Sequence, residues 1–128
     1  MRTFEDVETY LLEIGFPFER LDTGIWRVSD EADHLENIVV YITETVINLR
    51  VKLFELPSAP SVELLRTLLE LNASEMVHGA YGIEGDAVVV VDALELENLD
   101  RNELQAAIDS IGLAVRTHHP QLSALLAG

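Results

Sequence analysis

The feature that most constrains this chain is an apolar helix that is followed closely by an apolar strand, between Ser61 and Asp92. Ser61 suits the N-cap of the helix, because its hydroxyl can accept a hydrogen bond from a free N–H of the first turn. The apolar side chains of the helix are Val62, Leu64, Leu65, Leu68, Leu69 and Leu71. They cover an arc of roughly 180°, whereas a surface helix usually buries a stripe nearer to about 100° wide. Part of this arc therefore either reaches deep into the core or meets a second chain.

The strand after this helix, Ala87–Val91, is apolar on both faces. Such a strand lies centrally in a sheet, or has its outer face covered by a helix or another subunit. The corner before it holds three glycines, Gly79, Gly82 and Gly85, and Glu84-Gly85-Asp86 is typical of a hairpin turn. Gly79 and Gly82 favour a bulge or a close backbone approach. The spacing is not the dinucleotide fingerprint, because these glycines do not stand between a strand and the start of a helix.

The segment Val46–Leu56 alternates strictly between apolar and polar side chains. This period of two predicts an antiparallel strand with one buried and one wet face. Arg50 and Lys52 therefore lie side by side on the wet face. There they either pair with acidic neighbours across strands or contact an acidic group on another chain.

The N-terminal half predicts one helix and two shorter strands. Thr3 can cap a helix over about residues 4–14, which Gly15 ends. Strands are predicted at Gly24–Val28 and Asn37–Thr43, with loops at Phe16–Arg20 and Ser29–Asn37.

The C-terminal part predicts one more helix. Asp100 and Glu103 form a capping-box pattern before an apolar stripe that runs to Val115. Pro120 disfavours the α conformation at His119, so the helix is expected to close there. The predicted order is α-β-β-β-α-β-β-α: an α+β fold in which helices pack on an antiparallel sheet, as a single domain over residues 1–128.

The charge of the chain excludes several classes of partner. With 23 acidic and 8 basic residues the net charge is −15. A surface of this sign repels phosphate backbones and anionic lipids, so we expect neither nucleic-acid nor membrane binding. The excess acid either keeps a small apolar-rich protein soluble or selects a partner with basic segments. With no cysteine, no leader sequence and no membrane span, the expected location is the cytoplasm.

The acidic run within Ser29–Asn37 is the one candidate ligand site. Asp30, Asp33, His34 and Glu36 carry oxygen and nitrogen ligands, but their spacing matches neither a Ca²⁺ loop nor a HExxH helix. We expect a solvated loop and no metal or cofactor. The serines lack the strand-turn-helix context of a nucleophile, so no catalytic residue is predicted.

The order of elements and one motif resemble the YbjN and type III secretion chaperone-like superfamily. The motif is L-L-x-x-L-L-x-L-N over Leu64–Asn72, followed by the Gly79–Asp86 corner, the valine strand and the Leu99–Val115 helix. The resemblance implies a small acidic cytoplasmic α+β protein, commonly a homodimer, without a known active site. Secretion chaperones of this kind hold an effector segment in a non-globular state along their sheet and helix surfaces.

The sequence thus predicts a non-catalytic protein-binding module, chaperone-like or regulatory, that is dimeric and binds an apolar or basic segment of a partner protein. The alternative is a small-ligand- or metal-binding domain, or an enzyme, that uses the acidic residues 30–36. The predicted partner or dimer surface consists of Leu65, Leu69, Arg50, Lys52, Val89 and Val91.

Overall fold

The computed structural model describes residues 1–127 as three helices and one six-stranded sheet. The helices are α1 (Phe4–Ile14), α2 (Val62–Ser74) and α3 (Arg101–Ala127). The strands are β1 (Phe18–Asp22), β2 (Ile25–Asp30), β3 (Leu35–Thr43), β4 (Val46–Glu55), β5 (Ala80–Glu84) and β6 (Ala87–Glu95). All neighbouring strands are antiparallel, in the order β1-β2-β3-β4-β6-β5. The predicted α+β class is confirmed, with one strand more than expected.

One face of the sheet forms the core together with all three helices. Alternate strand residues point to this face, as the period of two requires, and the helices contribute their apolar stripes. The core includes Val7 and Leu11 of α1, Leu64 and Leu68 of α2, Leu104, Ile108 and Ile111 of α3, and Trp26, Val40, Leu49, Val88 and Val90 of the sheet. The opposite face, which carries Arg50 and Lys52 of β4, is the wet face.

The predicted caps fix where the helices begin. The Thr3 hydroxyl accepts from the N–H of Asp6, and Ser61 accepts from the N–H of Leu64 at 3.1 Å. Asp100 and Glu103 each accept from the other's main-chain N–H, at 2.8 and 3.1 Å. α2 runs to Ser74.

The strand that the sequence did not predict is β1, which covers much of the expected loop at Phe16–Arg20. Its side chains are almost all exposed, so it carries no apolar alternation that could reveal it. Main-chain pairing with β2 holds it instead. Ion pairs of Arg20 with Glu8 and of Arg27 with Glu19 lie beside it.

The acidic run at Ser29–Asn37 contains a shorter loop than was predicted, and it is solvated only in part. β2 continues to Asp30 and β3 begins at Leu35, so only a short turn remains between them. Asp30 lies on the same inward face of β2 as Trp26 and Val28, and it is 2% exposed.

The last helix does not close at Pro120 but continues to Ala127. Proline in a helix interior removes one hydrogen bond and costs about 3 kcal/mol. Beyond it, Leu122 is 4% exposed, and Leu125 and Leu126 pack against the core. Since burying each such side chain contributes about 1.5–3 kcal/mol, packing outweighs the local penalty.

Replacing Pro120 by Ala should therefore stabilise the protein by about 1–3 kcal/mol, because alanine restores the helical N–H. Urea unfolding measures the gain. Pro57→Ala, in the exposed connection after β4, is the matched control and should change the free energy of unfolding by less than about 1 kcal/mol. A destabilised Pro120→Ala protein would show that α3 depends on the proline.

Candidate functional site

The candidate site is a groove between α2 and the edge strand β5, called here the α2–β5 groove. It encloses about 320 Å³. Its lining is Leu65, Leu68, Leu69, Asn72, Tyr81, Gly82 and Ile83. Almost all of this lining is apolar, although the groove is open to solvent.

The wide apolar arc of α2 divides between the core and this groove. Leu64, Leu68 and Leu71 are buried, at 1%, 5% and 8% exposure. Leu69 is 70% exposed and Leu65 is half-buried. One part of the arc therefore fills the core, and another part stays uncovered. Contact of the uncovered part with a second chain stays a prediction.

Asn72 fixes α2 against the edge of the sheet. Its side-chain amide donates to the carbonyl of Tyr81 at 3.0 Å and accepts from the N–H of Tyr81 at 2.7 Å. β5 has a strand neighbour on one side only, which is β6. The Asn72 amide thus takes the place of a neighbouring strand at Tyr81, which blunts an edge that would otherwise pair with another chain.

Ile83 lies two residues after Tyr81 in β5, at the outer end of the groove, and is 55% exposed. The main-chain N–H and C=O groups of a strand point to the same edge at every second residue. Those of Ile83 therefore point to the free edge of β5, as those of Tyr81 do. The groove therefore combines exposed apolar side chains with an unpaired stretch of strand edge.

The side chain of Tyr81 ties the groove to α3. Its hydroxyl forms a hydrogen bond with Nδ1 of His118 at 2.7 Å, and His118 is 6% exposed. Burial raises the pKa of Tyr81 to about 12. Burial also lowers the pKa of His118 below its ordinary value of 6.5, while the nearby Glu75 carboxylate acts in the opposite direction. The pair is therefore neutral at neutral pH, with the tyrosine hydroxyl donating to the imidazole.

The other predicted surface residues lie on the wet face of the sheet. Arg50 and Lys52 of β4 stand opposite Val91 and Val89 of β6. They do not line the α2–β5 groove. The structure thus separates the six predicted residues into two groups, with Leu65 and Leu69 in the groove and the other four on the sheet.

Acidic side chains of the same chain already pair with both cations. Arg50 pairs with Glu84 of β5, and Lys52 pairs with Glu55. Arg50 lies beside Val91 and Glu84 beside Ala87, so the ion pair between them crosses β6 at Val89. Val89 is only 2% exposed, whereas Val91 is 39% exposed. Contact of this face with another chain stays a prediction.

The acidic run offers no metal centre in the described structure. Asp30 is buried, and Asp33 pairs with Arg116 at 3.3 Å. His34 and Glu36 are exposed. Within residues 1–127 no cluster of three or more histidine, aspartate or glutamate side chains has the arrangement that a metal ion requires. In the same range, no helix is both long and apolar enough to cross a membrane.

Sequence reasoning missed Asn72, Tyr81 and Ile83 as parts of the site. One signal was available, because Asn72 follows Leu65 by seven residues and Leu68 by four, which places it on the same helical face. A polar residue on an apolar stripe indicates a polar partner. Nothing in the sequence identifies that partner as the backbone of Tyr81.

Comparison with known proteins gives a family and a fold. The family model CesT_Tir_1 matches residues 1–127. A search among curated proteins finds no match to the sequence.

Three solved structures share the fold at low sequence identity. The ExoU–SpcU heterodimer from the type III secretion system of Pseudomonas aeruginosa contains a chain with TM-score 0.70 and 19% identity, covering 94% of this chain and 97% of that one. YbjN from E. coli gives 0.68 and 12%, with coverage of 94% and 93%. The Yersinia pestis type III secretion chaperone SycH, in complex with a stable fragment of YscM2, gives 0.58 and 18%, with coverage of 88% and 98%.

Removing the amide that blunts the strand edge should destabilise the protein. Asn72→Ala leaves the N–H and C=O of Tyr81 without their partner, and we expect a loss of about 1–3 kcal/mol in urea unfolding. Asn102→Ala, at an exposed asparagine in the first turn of α3, should change stability by less than about 0.5 kcal/mol. Equal stability of Asn72→Ala and the wild type would mean that water replaces the amide without loss.

The Tyr81–His118 pair predicts a pH dependence of stability. The unfolded chain binds a proton near pH 6.5, whereas the folded chain resists it, because the pKa of His118 is lowered. The free energy of unfolding should therefore fall as the pH drops below about 6.5.

His118→Asn keeps an acceptor for the tyrosine hydroxyl but does not titrate. When urea unfolding is measured across the pH range, the free energy of unfolding of this variant should lack the pH dependence that His118 contributes. The exposed neighbour His119 provides the control, since His119→Asn should keep the wild-type slope. The same slope in all three proteins would contradict the assignment.

Proposed function

The chain belongs to the CesT_Tir_1 family, which comprises type III secretion chaperones, and on that premise we propose that it is a non-catalytic, chaperone-like protein-binding module. The observation that carries the proposal is the α2–β5 groove, where Leu69 and Ile83 are 70% and 55% exposed beside a free strand edge. SycH and the chain in the ExoU–SpcU complex are each described in complex with a second protein. We expect this chain to act in the same way, in the cytoplasm.

We propose that a second copy of the chain covers the α2–β5 groove. The groove lies on one helix and one edge strand, so a two-fold axis beside it would place the same apolar patch of each copy against the other. The side chains of Leu65, Leu69 and Ile83 would then be buried in both copies. At about 1.5–3 kcal/mol for each fully buried side chain, these contacts are the main attraction in such a dimer.

The partner protein, in this proposal, contributes a segment with apolar and basic residues. The net charge of −15 attracts cationic segments over a screening length of about 8 Å at physiological salt. The wet face of the sheet offers a second kind of contact. There, Arg50 and Lys52 could exchange Glu84 and Glu55 for acidic groups of another chain, next to Val89 and Val91.

The dimer is tested by the double substitution Leu65→Asp and Leu69→Asp. We expect a folded monomer, because the variant places charge in the proposed interface while Leu64, Leu68 and Leu71 still fill the core. Light scattering and circular dichroism on the same sample measure mass and folding together.

The matched control is Leu12→Asp with Leu113→Asp. It adds the same charge at two other exposed leucines, at 66% and 52% exposure, and should stay dimeric. A monomeric wild type removes the proposed dimer. A Leu65/Leu69 variant that unfolds would show that these two leucines belong to the core of the monomer.

The partner chemistry is tested with a synthetic peptide that alternates leucine and lysine. Its binding should weaken as the ionic strength rises, because added salt screens the negative surface. An acidic peptide with the same leucines serves as the control and should bind more weakly at low salt. Equal affinity for both peptides would contradict the charge argument, as would binding of duplex DNA at physiological salt.

A further inference from the structure

The corner where the β2–β3 turn meets α3 holds a buried carboxyl group that the proposed function does not use. Asp30, the last residue of β2, is 2% exposed. Its Oδ1 accepts a hydrogen bond of 3.4 Å from the N–H of Asp33. Its Oδ2 has no hydrogen-bond partner within residues 1–127. A buried anionic oxygen without a donor is costly, so the protonation state of this group needs an explanation.

A second carboxyl group meets Asp30 on the surface of α3. A Cβ atom added to Gly112 would lie 2.5 Å from Oδ2 of Asp30 and 2.8 Å from Oδ2 of Asp33. Both oxygens therefore crowd the same point of the helix. Glycine is less favourable than alanine in a helix interior, and its position here leaves room for the two carboxyl groups.

The charges around this pair come from the turn and from α3. Arg116 of α3 contacts the other oxygen of Asp33 at 3.3 Å. Asp109 of α3 adds a further negative charge near Asp30, and Glu31 and His34 stand in the turn. Burial, followed by the effects of Asp33 and Asp109, raises the pKa of Asp30 above its ordinary value of 3.8.

We propose that Asp30 and Asp33 share one proton, which Oδ2 of Asp30 donates to Oδ2 of Asp33, and that this hydrogen bond fastens the β2–β3 turn to α3. The shared proton gives the unpartnered oxygen a role as a donor. It also leaves a single negative charge on the pair, opposite Arg116. When the proton leaves to water, two carboxylates face each other and Asp109, and the turn loses its attachment.

The direction of the pH effect follows from the raised pKa. The folded chain keeps the proton to a higher pH than the unfolded chain does, so the attachment contributes stability at low pH and loses it as the pH rises. This direction is opposite to that of His118, which makes the two groups separable in one protein.

The test combines a titration of the wild-type protein with one variant. Carbon NMR of the carboxyl groups should place the titration midpoint of Asp30 above 3.8. Asp30→Asn carries an amide that donates to Asp33 as the protonated acid does but does not titrate. Relative to the wild type, its urea midpoint should be similar near about pH 4 and higher near about pH 8.

Asp109→Asn is the control, because it removes the neighbouring charge and leaves the pair in place. It should lower the titration midpoint of Asp30 toward 3.8. The proposal fails if Asp30 in the wild type titrates at or below 3.8, or if Asp30→Asn and the wild type keep the same difference in urea midpoint at every pH. If the asparagine variant does not fold, the wild-type titration alone decides. None of these measurements depends on dimer formation or partner binding.

Discussion

The interaction on which the arrangement of the site depends is the bond between the Asn72 amide and the backbone of Tyr81. An edge strand has main-chain groups that need partners, and here one side chain supplies both a donor and an acceptor. The bond fixes the rotation and height of α2 beside β5. With that rotation set, Leu68 points into the core while Leu69 remains exposed over the groove. The Tyr81 side chain then connects the same point to α3 through His118. The edge strand is thus held by two helices at a single residue.

The sequence predicts an element of the fold where burial of one face produces a regular spacing of apolar residues. β4 and α2 each bury one face, so their periods of about 2 and about 3.6 residues identified them. β1 could not be identified in this way, because main-chain pairing and surface ion pairs hold it and its side chains remain exposed. The prediction ended α3 too early, at Pro120, because the local preference of proline takes no account of how Leu122 packs on the core. Both errors arise where tertiary contacts override local sequence preferences.

The site could be predicted only in part for a related reason. The outward direction of Leu69 follows from helical geometry, and the structure agrees with it. The groove also needs Tyr81 and Ile83, which the fold brings beside α2 and which no spacing rule connects to it. The valine strand shows the converse case. Because it is apolar on both faces, it was predicted to lie centrally in the sheet or to have its outer face covered by a helix or another subunit. β6 lies between β4 and β5, and at Val89 an ion pair of the same chain crosses its outer face.

The distribution of charge explains how an acidic surface and an apolar groove can serve one function. Seven of the eight basic side chains form ion pairs with carboxylates of this chain, and the eighth, Arg2, donates to the carbonyl of Leu99. Exposed pairs of this kind contribute only about 0–1 kcal/mol each to stability, but they engage seven of the eight basic side chains. Within residues 1–127, most of the 23 acidic residues therefore form no ion pair. A cationic segment from another protein meets little competition for these carboxylates, whereas the residues that line the α2–β5 groove are uncharged. In the proposed function, the charge attracts and orients a partner while the α2–β5 groove holds two copies of the chain together, so the two surfaces do not compete.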